Sequence, residues 1–255
     1  MKKIRLVSMT LLILGIVITS CKKKDETIVP QSPSETRCFV IKASSGDGRI
    51  QNYDYHNELL VNEYQLDSNG VEVNNITYEY ENDILLYVYN NGSKTAKTVI
   101  ENNRIIKLIY YEKDSLDNYV LSDRYEKYNY DINGDMIKKE NYTDTLLTGY
   151  VEQIWENGNP VIRTSYYLSG SQMTFDARWT NTFDEMKNPL YNIGVGVISN
   201  GFFNSKNNFL ASTVQYLEDG PISPDFSIEY TYNSDSYPLT WTTEYSTGHY
   251  TYNCD

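Results

Sequence analysis

From residue 37 onward, apolar and polar residues alternate in short runs separated by turns rich in Asp, Asn and Gly. That period of two is the mark of half-buried β-strands. The recurring unit is aromatic-x-aromatic, then a polar turn, then an aliphatic strand start. Tyr128-Asn129-Tyr130-Asp131-Ile132-Asn133-Gly134-Asp135-Met136-Ile137 is the clearest copy, others open at Tyr53, Tyr78 and Tyr230, and a looser one runs from Ile154 through Trp155, Asn157 and Gly158 to Val161. Their starts fall near multiples of about 25 residues, one hairpin per unit, as in a β-repeat array. Tyr, Val, Ile and Thr suit a pleated, half-buried surface, and Asn-Gly or Asp-rich pairs accept the positive φ of tight hairpin turns.

This pattern predicts an all-β antiparallel meander of about 14 to 16 strands, too many for a flat open sheet, which therefore curls into a soluble barrel or half-barrel. One segment departs from it. Asn188 can cap a helix, Pro189 suits its first position, and Leu190, Ile193, Val197 and Ile198 share a face, so a short helix or ordered loop is expected near 188–200, over one end of the sheet. A membrane-spanning barrel is disfavoured, because many strands carry Lys, Glu and Asn on both faces where a continuous apolar outer band is needed.

Ahead of the strands stands a different kind of sequence. Lys2, Lys3 and Arg5 precede an apolar run over residues 6–18, which is about 13 residues against the roughly 20 needed to span hydrocarbon. It ends in Ile18-Thr19-Ser20-Cys21, which resembles the lipobox of bacterial lipoproteins; the resemblance implies cleavage before Cys21 and lipidation of its thiol. The organisation expected is a signal peptide at 1–20, a flexible tether at 21–36 rich in Thr, Pro, Ser and Gln, and a single β domain at 37–255. Lys22, Lys23 and Lys24 followed by Asp25 and Glu26 resemble a surface-export signal of Bacteroidota-type lipoproteins. That implies an outer-membrane anchor facing the exterior, the periplasmic face being the alternative.

Loss of Lys2, Lys3 and Arg5 with the leader takes the net charge from −12 to −15. Along the sequence the remaining basic residues are mostly scattered singly, without a stripe interleaved with aromatics, so nucleic acid is not an expected partner. The expected contacts are the membrane, through the lipid, and a glycan or protein ligand.

The repeat copies resemble tyrosine-aspartate (RHS-type) repeats, whose core reads Tyr-x-Tyr-Asp-x-x-Gly-x-Leu; only the copy at Tyr128 keeps nearly all of it. The whole layout is similar to anchored Bacteroidota lipoproteins of unknown function with a porin-like β-meander. In that resemblance Lys187-Asn188-Pro189-Leu190-Tyr191 and Ser205-Lys206-Asn207-Asn208 belong to a stretch inserted between strands. It implies a fold and an address but no reaction.

With Cys21 acylated, two cysteines remain, Cys38 and Cys254, and an oxidising compartment makes them a disulfide candidate. Two buried thiols are the alternative. A bridge would make the first and last strands neighbours. His56 and His249 are far apart in sequence and no metal-ligand cluster appears, so no metal and no cofactor are expected. Asp131-Ile132-Asn133-Gly134-Asp135 has the oxygen-rich look of a calcium loop but is what the hairpin turn itself requires, and Ser44-Ser45-Gly46 lacks a nucleophile-elbow pattern. The chain is therefore expected not to be an enzyme. What stands out is 25 Tyr, 7 Phe and 3 Trp. Trp155, Trp179 and Trp241 are the ligand-binding candidates, since aromatic rings stack on sugars and anchor protein partners. A structural partner in an outer-membrane complex is the second function class, and a glycan-acting enzyme the third.

Overall fold

The computed structural model describes residues 37–191 and 205–254; the leader, Cys21 and the tether lie outside them. The described residues form seventeen strands and no helix. The first nine are β1 (Cys38–Ser45), β2 (Ile50–His56), β3 (Leu59–Leu66), β4 (Glu72–Glu81), β5 (Ile84–Asn90), β6 (Ser93–Glu101), β7 (Arg104–Lys113), β8 (Tyr119–Tyr130) and β9 (Met136–Thr143). After them come β10 (Leu146–Glu156), β11 (Asn159–Ser169), β12 (Gln172–Lys187), β13 (Asn207–Gln215), β14 (Ser223–Ser227), β15 (Glu229–Tyr232), β16 (Pro238–Thr242) and β17 (Thr247–Cys254).

Each strand pairs antiparallel with the next, from β1 through β14 and again from β15 to β17. Only Ile228 separates β14 from β15, and its N–H donates to the Leu210 carbonyl at 2.7 Å. The two are halves of one pass, the first paired with β13 and the second with β16. β17 then pairs with β1, so the meander returns on itself as a single, nearly closed barrel-shaped sheet. Of the short helix or ordered loop expected near 188–200, the described start is a turn, in which Asn188 Oδ1 accepts the Leu190 N–H at 2.9 Å; residues 192–200 lie outside the described ones. Pro189 follows a strand there, and the asparagine side chain satisfies the turn in place of a helix.

Successive turns alternate between the two rims, so a repeat of one hairpin always returns to the same rim. The turns at Asn57-Glu58, Asn82-Asp83, Asn102-Asn103 and Asn157-Gly158, all with positive φ, share a rim with the Asp131 and Asn233 loops and with Cys38 and Cys254. In the Asp131 loop one carboxylate oxygen, Oδ1, accepts the N–H groups of Asn133, Gly134 and Asp135, each at 2.9 Å. The residues that looked like calcium ligands hold their own turn.

The inner face of β1–β9 carries Val40, Tyr53, Leu60, Tyr78, Leu85, Ala96, Ile105, Leu108, Tyr128 and Met136, all buried in one cluster. In several copies the second aromatic does something more specific: it reaches back to the strand that follows the previous turn of the same rim, whereas Tyr232 Oη donates to Asp184 and Tyr55 Oη is buried without a partner. Tyr80 Oη donates to the Leu60 carbonyl at 2.6 Å, Tyr130 Oη to Ile105 at 2.7 Å, and Tyr252 Oη to Pro238 at 2.5 Å. Trp155 takes the same place, its Nε1 donating to the Met136 carbonyl at 2.8 Å. Tyrosine and tryptophan fill the interior and satisfy a strand-end carbonyl at once, which phenylalanine cannot do.

Two carboxylates are folded into this interior. Glu126 accepts from Tyr110 Oη at 2.9 Å, from Tyr128 Oη, and from Lys139 Nζ at 3.2 Å. Glu63 accepts from Tyr78 Oη but has no lysine; burial pushes its carboxyl above the ordinary value, and the Tyr78 hydroxyl only partly offsets this. On the outer face the sheet gathers lysines that are scattered in sequence. Lys94 lies 3.5 Å from the Tyr87 ring centroid, Lys107 lies 3.6 Å from Tyr125, and Lys138 lies 4.1 Å from Tyr150. Tyr125 stacks on Tyr142 across the β8–β9 ladder at 4.9 Å.

Cys38 and Cys254 are direct partners in the β1–β17 ladder and form a disulfide, with Cα atoms 4.1 Å apart and a sequence separation of 216. Closing so long a loop corresponds to about 5 kcal/mol on the chain-entropy model. Cys254→Ser is therefore expected to lower the urea midpoint by several kcal/mol of stability at most, with reducing agent giving the same loss in the wild type and none in the variant. For Glu63 the folded carboxyl titrates above its unfolded value. Its contribution is most favourable below the ordinary glutamate range and is lost as pH rises through the raised folded value. Glu63→Gln should thus gain on the wild type as pH rises above the ordinary glutamate range in urea titrations; equal slopes with pH would show that Glu63 is solvated.

Candidate functional site

The half of the barrel built by β10–β13 is filled differently. Where the first nine strands point Tyr and Leu inward, these point Gln153, Ser165, Asn181 and Ser212, all buried and all polar. Arg163 lies between them, opposite Gln153 in the β10–β11 ladder and opposite Trp179 in the β11–β12 ladder. Asn181 pairs with Ser212 one strand further on. The consequence is a cavity of about 540 Å³. Its walls are Trp179, Phe209, Phe226, Ile228, Tyr230 and Tyr250, and its polar groups are Arg163, Asn181, Asn208, Ser212 and Asp225, with Asn188, Pro189, Leu190 and Ser205 at the near rim.

Its polar groups are of two kinds. Ser212 Oγ donates to Asp225 Oδ2 at 2.8 Å, Asn181 Nδ2 to the Pro160 carbonyl at 2.9 Å, and Asn208 Nδ2 to Asp184 Oδ2 at 3.1 Å. These are occupied by the protein itself. Arg163 differs: its guanidinium carbon sits 5.2 Å from the Trp179 ring centroid, and among the described residues it has neither a hydrogen-bond acceptor nor an ion pair. Burial holds its pKa below the ordinary arginine value, against the opposing field of Asp176. That carboxylate accepts from Ser165 Oγ at 2.7 Å. Gln153, facing Arg163 across the ladder, is 7% exposed, and its Oε1 is buried without a partner.

The three tryptophans therefore have three settings. Trp179 lines the cavity. Trp155 occupies the repeat's carbonyl-binding position, held at Met136. Trp241 lies against Gly248, where a Cβ would collide with the Ser44 carbonyl and with the indole itself, and it lines a separate depression with Asp47, Arg49 and Thr247 at the far rim. None of the three is fully buried. Arg163 and Gln153 were not legible as site residues, because a single arginine in a strand has no local signature and its neighbours come from other strands.

Among the described residues no three His, Cys, Asp or Glu side chains are placed to hold a metal ion. Apart from Ile132, the most exposed apolar side chains cluster on the far rim: Val71, Leu116, Leu217, Ile222 and Tyr245 stand in or beside turns opposite the rim of the disulfide.

No protein-family model matches the chain, and no curated protein matches it. Among solved structures, a porin-like protein from Bacteroides vulgatus ATCC 8482 matches at 8% identity and a TM-score of 0.39, over 84% of this chain and 98% of that one. A porin-like protein from Bacteroides uniformis ATCC 8492 matches at 12% identity and a TM-score of 0.55, over 88% of this chain and 99% of that one. The chain shares its β-barrel meander with that porin-like protein over nearly the whole length of both.

Proposed function

We propose that this protein is a non-catalytic binding module, anchored to the outer membrane through a lipid on Cys21 and facing the exterior, which takes a ring-bearing ligand such as a glycan end in its inner cavity. The observation that carries the reading is the cavity itself. About 540 Å³ is the size of a small-ligand site, and it combines aromatic walls with a few convergent polar groups. Trp179 offers an indole face to a sugar ring, and Asn181 and Asn208 have acceptor capacity left for hydroxyls. The leader, the lipobox-like Ile18-Thr19-Ser20-Cys21 and the polar stretch after it support the anchor. The wholly β fold shared with a porin-like protein is compatible with that address.

A glycan array that includes mucin and plant oligosaccharides, probed with the whole exported chain, tests the reading. Trp179→Ala should reduce any reproducible signal at least about tenfold, the loss of one stacking contact. Trp155→Phe should leave the signal unchanged while lowering stability by about 1 kcal/mol, since it removes only the bond to Met136. A signal indifferent to Trp179 would refute the cavity as the site.

One observation favours a second reading, a structural partner in an outer-membrane assembly: the exposed apolar side chains of the far rim. Leu116→Asp combined with Leu217→Asp should abolish crosslinking of the protein to a neighbour on intact cells and leave glycan binding alone. Crosslinks that survive the double change would place any partner elsewhere.

A further inference from the structure

We infer that the cavity selects an anionic ligand, its charged group held by the Arg163 fork while its ring lies against Trp179; the inference rests on the cavity being the binding site. Arg163 carries the only positive charge among the described residues that line it. A guanidinium presents five N–H donors in a plane and cannot shed its charge in a protein. Partly withdrawn from water and without an acceptor among the described residues, it carries a desolvation cost that buried arginines ordinarily offset by pairing.

Here the protein withholds the pairing. The nearest field of opposite sign, from Asp176, reaches Arg163 only at a distance, and that carboxylate is engaged by Ser165 Oγ at 2.7 Å. Asp225, the one acid in the lining, accepts from Ser212 Oγ. Gln153 stands opposite Arg163 yet offers it no hydrogen bond, although its own Oε1 is buried and unpartnered.

The guanidinium carbon lies over the indole, 5.2 Å from its centroid, and among the described residues no acceptor takes the N–H groups at its edge. A planar two-oxygen group such as a carboxylate fits that edge in a bidentate pair, and a sulfate or sulfonate fits it through two of its oxygens. The flat aromatic walls then fix the rest of the ligand as a ring system rather than an extended chain.

The test uses two probes with one ring system, 1-anilinonaphthalene-8-sulfonate and the uncharged N-phenyl-1-naphthylamine, titrated by fluorescence onto the full chain and its variants. Dye taken up elsewhere on the chain is common to all of them and cancels in the differences. The sulfonate should bind about tenfold more tightly than the neutral dye, a difference of about 1.4 kcal/mol. Arg163→Gln should erase that preference while leaving the neutral dye unaffected. Arg163→Lys, which keeps the charge and the stem but not the fork, should retain part of it and guards against a variant that does not fold.

If Trp179→Ala weakens both dyes equally but the wild type binds the two alike, or keeps its full sulfonate preference in Arg163→Gln, the cavity stands as a binding site but the anion preference is overturned. If Trp179→Ala and Arg163→Gln leave both dyes untouched, the cavity reading falls and takes the inference with it.

Discussion

Pairing of the last strand with the first is the constraint on which everything else in this molecule depends. A meander of this many strands has unpaired N–H and C=O groups along both outer strands, and twist alone does not remove them. Here β17 lies against β1 over the length of both, and the two ends are joined through Cys38 and Cys254 at the rim where the chain enters and leaves. Closure turns one face inward for every strand at once. It thereby converts a period-two pattern into a core with an inside and an outside.

Closure alone does not set the diameter or hold the rims. Tyr80, Tyr130, Trp155 and Tyr252 do part of that work, since the hydroxyl or indole N–H of each satisfies a carbonyl on the hairpin before it. Those hairpins are thus tied to their predecessors by a side chain as well as by ladder bonds. The same economy of partners explains the buried carboxylates: Glu126 is surrounded by two tyrosine hydroxyls and a lysine, whereas Glu63, lacking a cation, is held nearer its neutral form.

The interior is asymmetric for a simple steric reason. Large inward side chains on the first nine strands pack into one buried cluster, while the later strands turn the polar Gln153, Ser165, Asn181 and Ser212 inward. The space they leave is bordered by aromatic rings from β12, β13, β14, β15 and β17, and by one arginine without an anion. Packing in one half of the barrel and a ligand-sized cavity in the other are two results of the same alternation.

Sequence by itself determined the class of fold and the strand grammar, because turn chemistry and period-two alternation are local properties written in residues such as Asn82-Asp83 and Tyr128-Asn129-Tyr130. Its count of about 14 to 16 strands falls one short of the seventeen described, since β14 and β15 divide one pass. It offered Trp155, Trp179 and Trp241 together as aromatic candidates. It did not distinguish Trp155, a structural tie, from Trp179, a cavity wall, since both sit in similar strand contexts and differ only in what lies across the lumen. Tertiary structure alone decided that the barrel nearly closes, that the scattered lysines of β6–β9 become neighbours over tyrosine rings, and that Arg163, Gln153 and Trp179 share one corner. Those relations join residues on different strands, and their registers are fixed by the closed ladder and not by any segment of the chain.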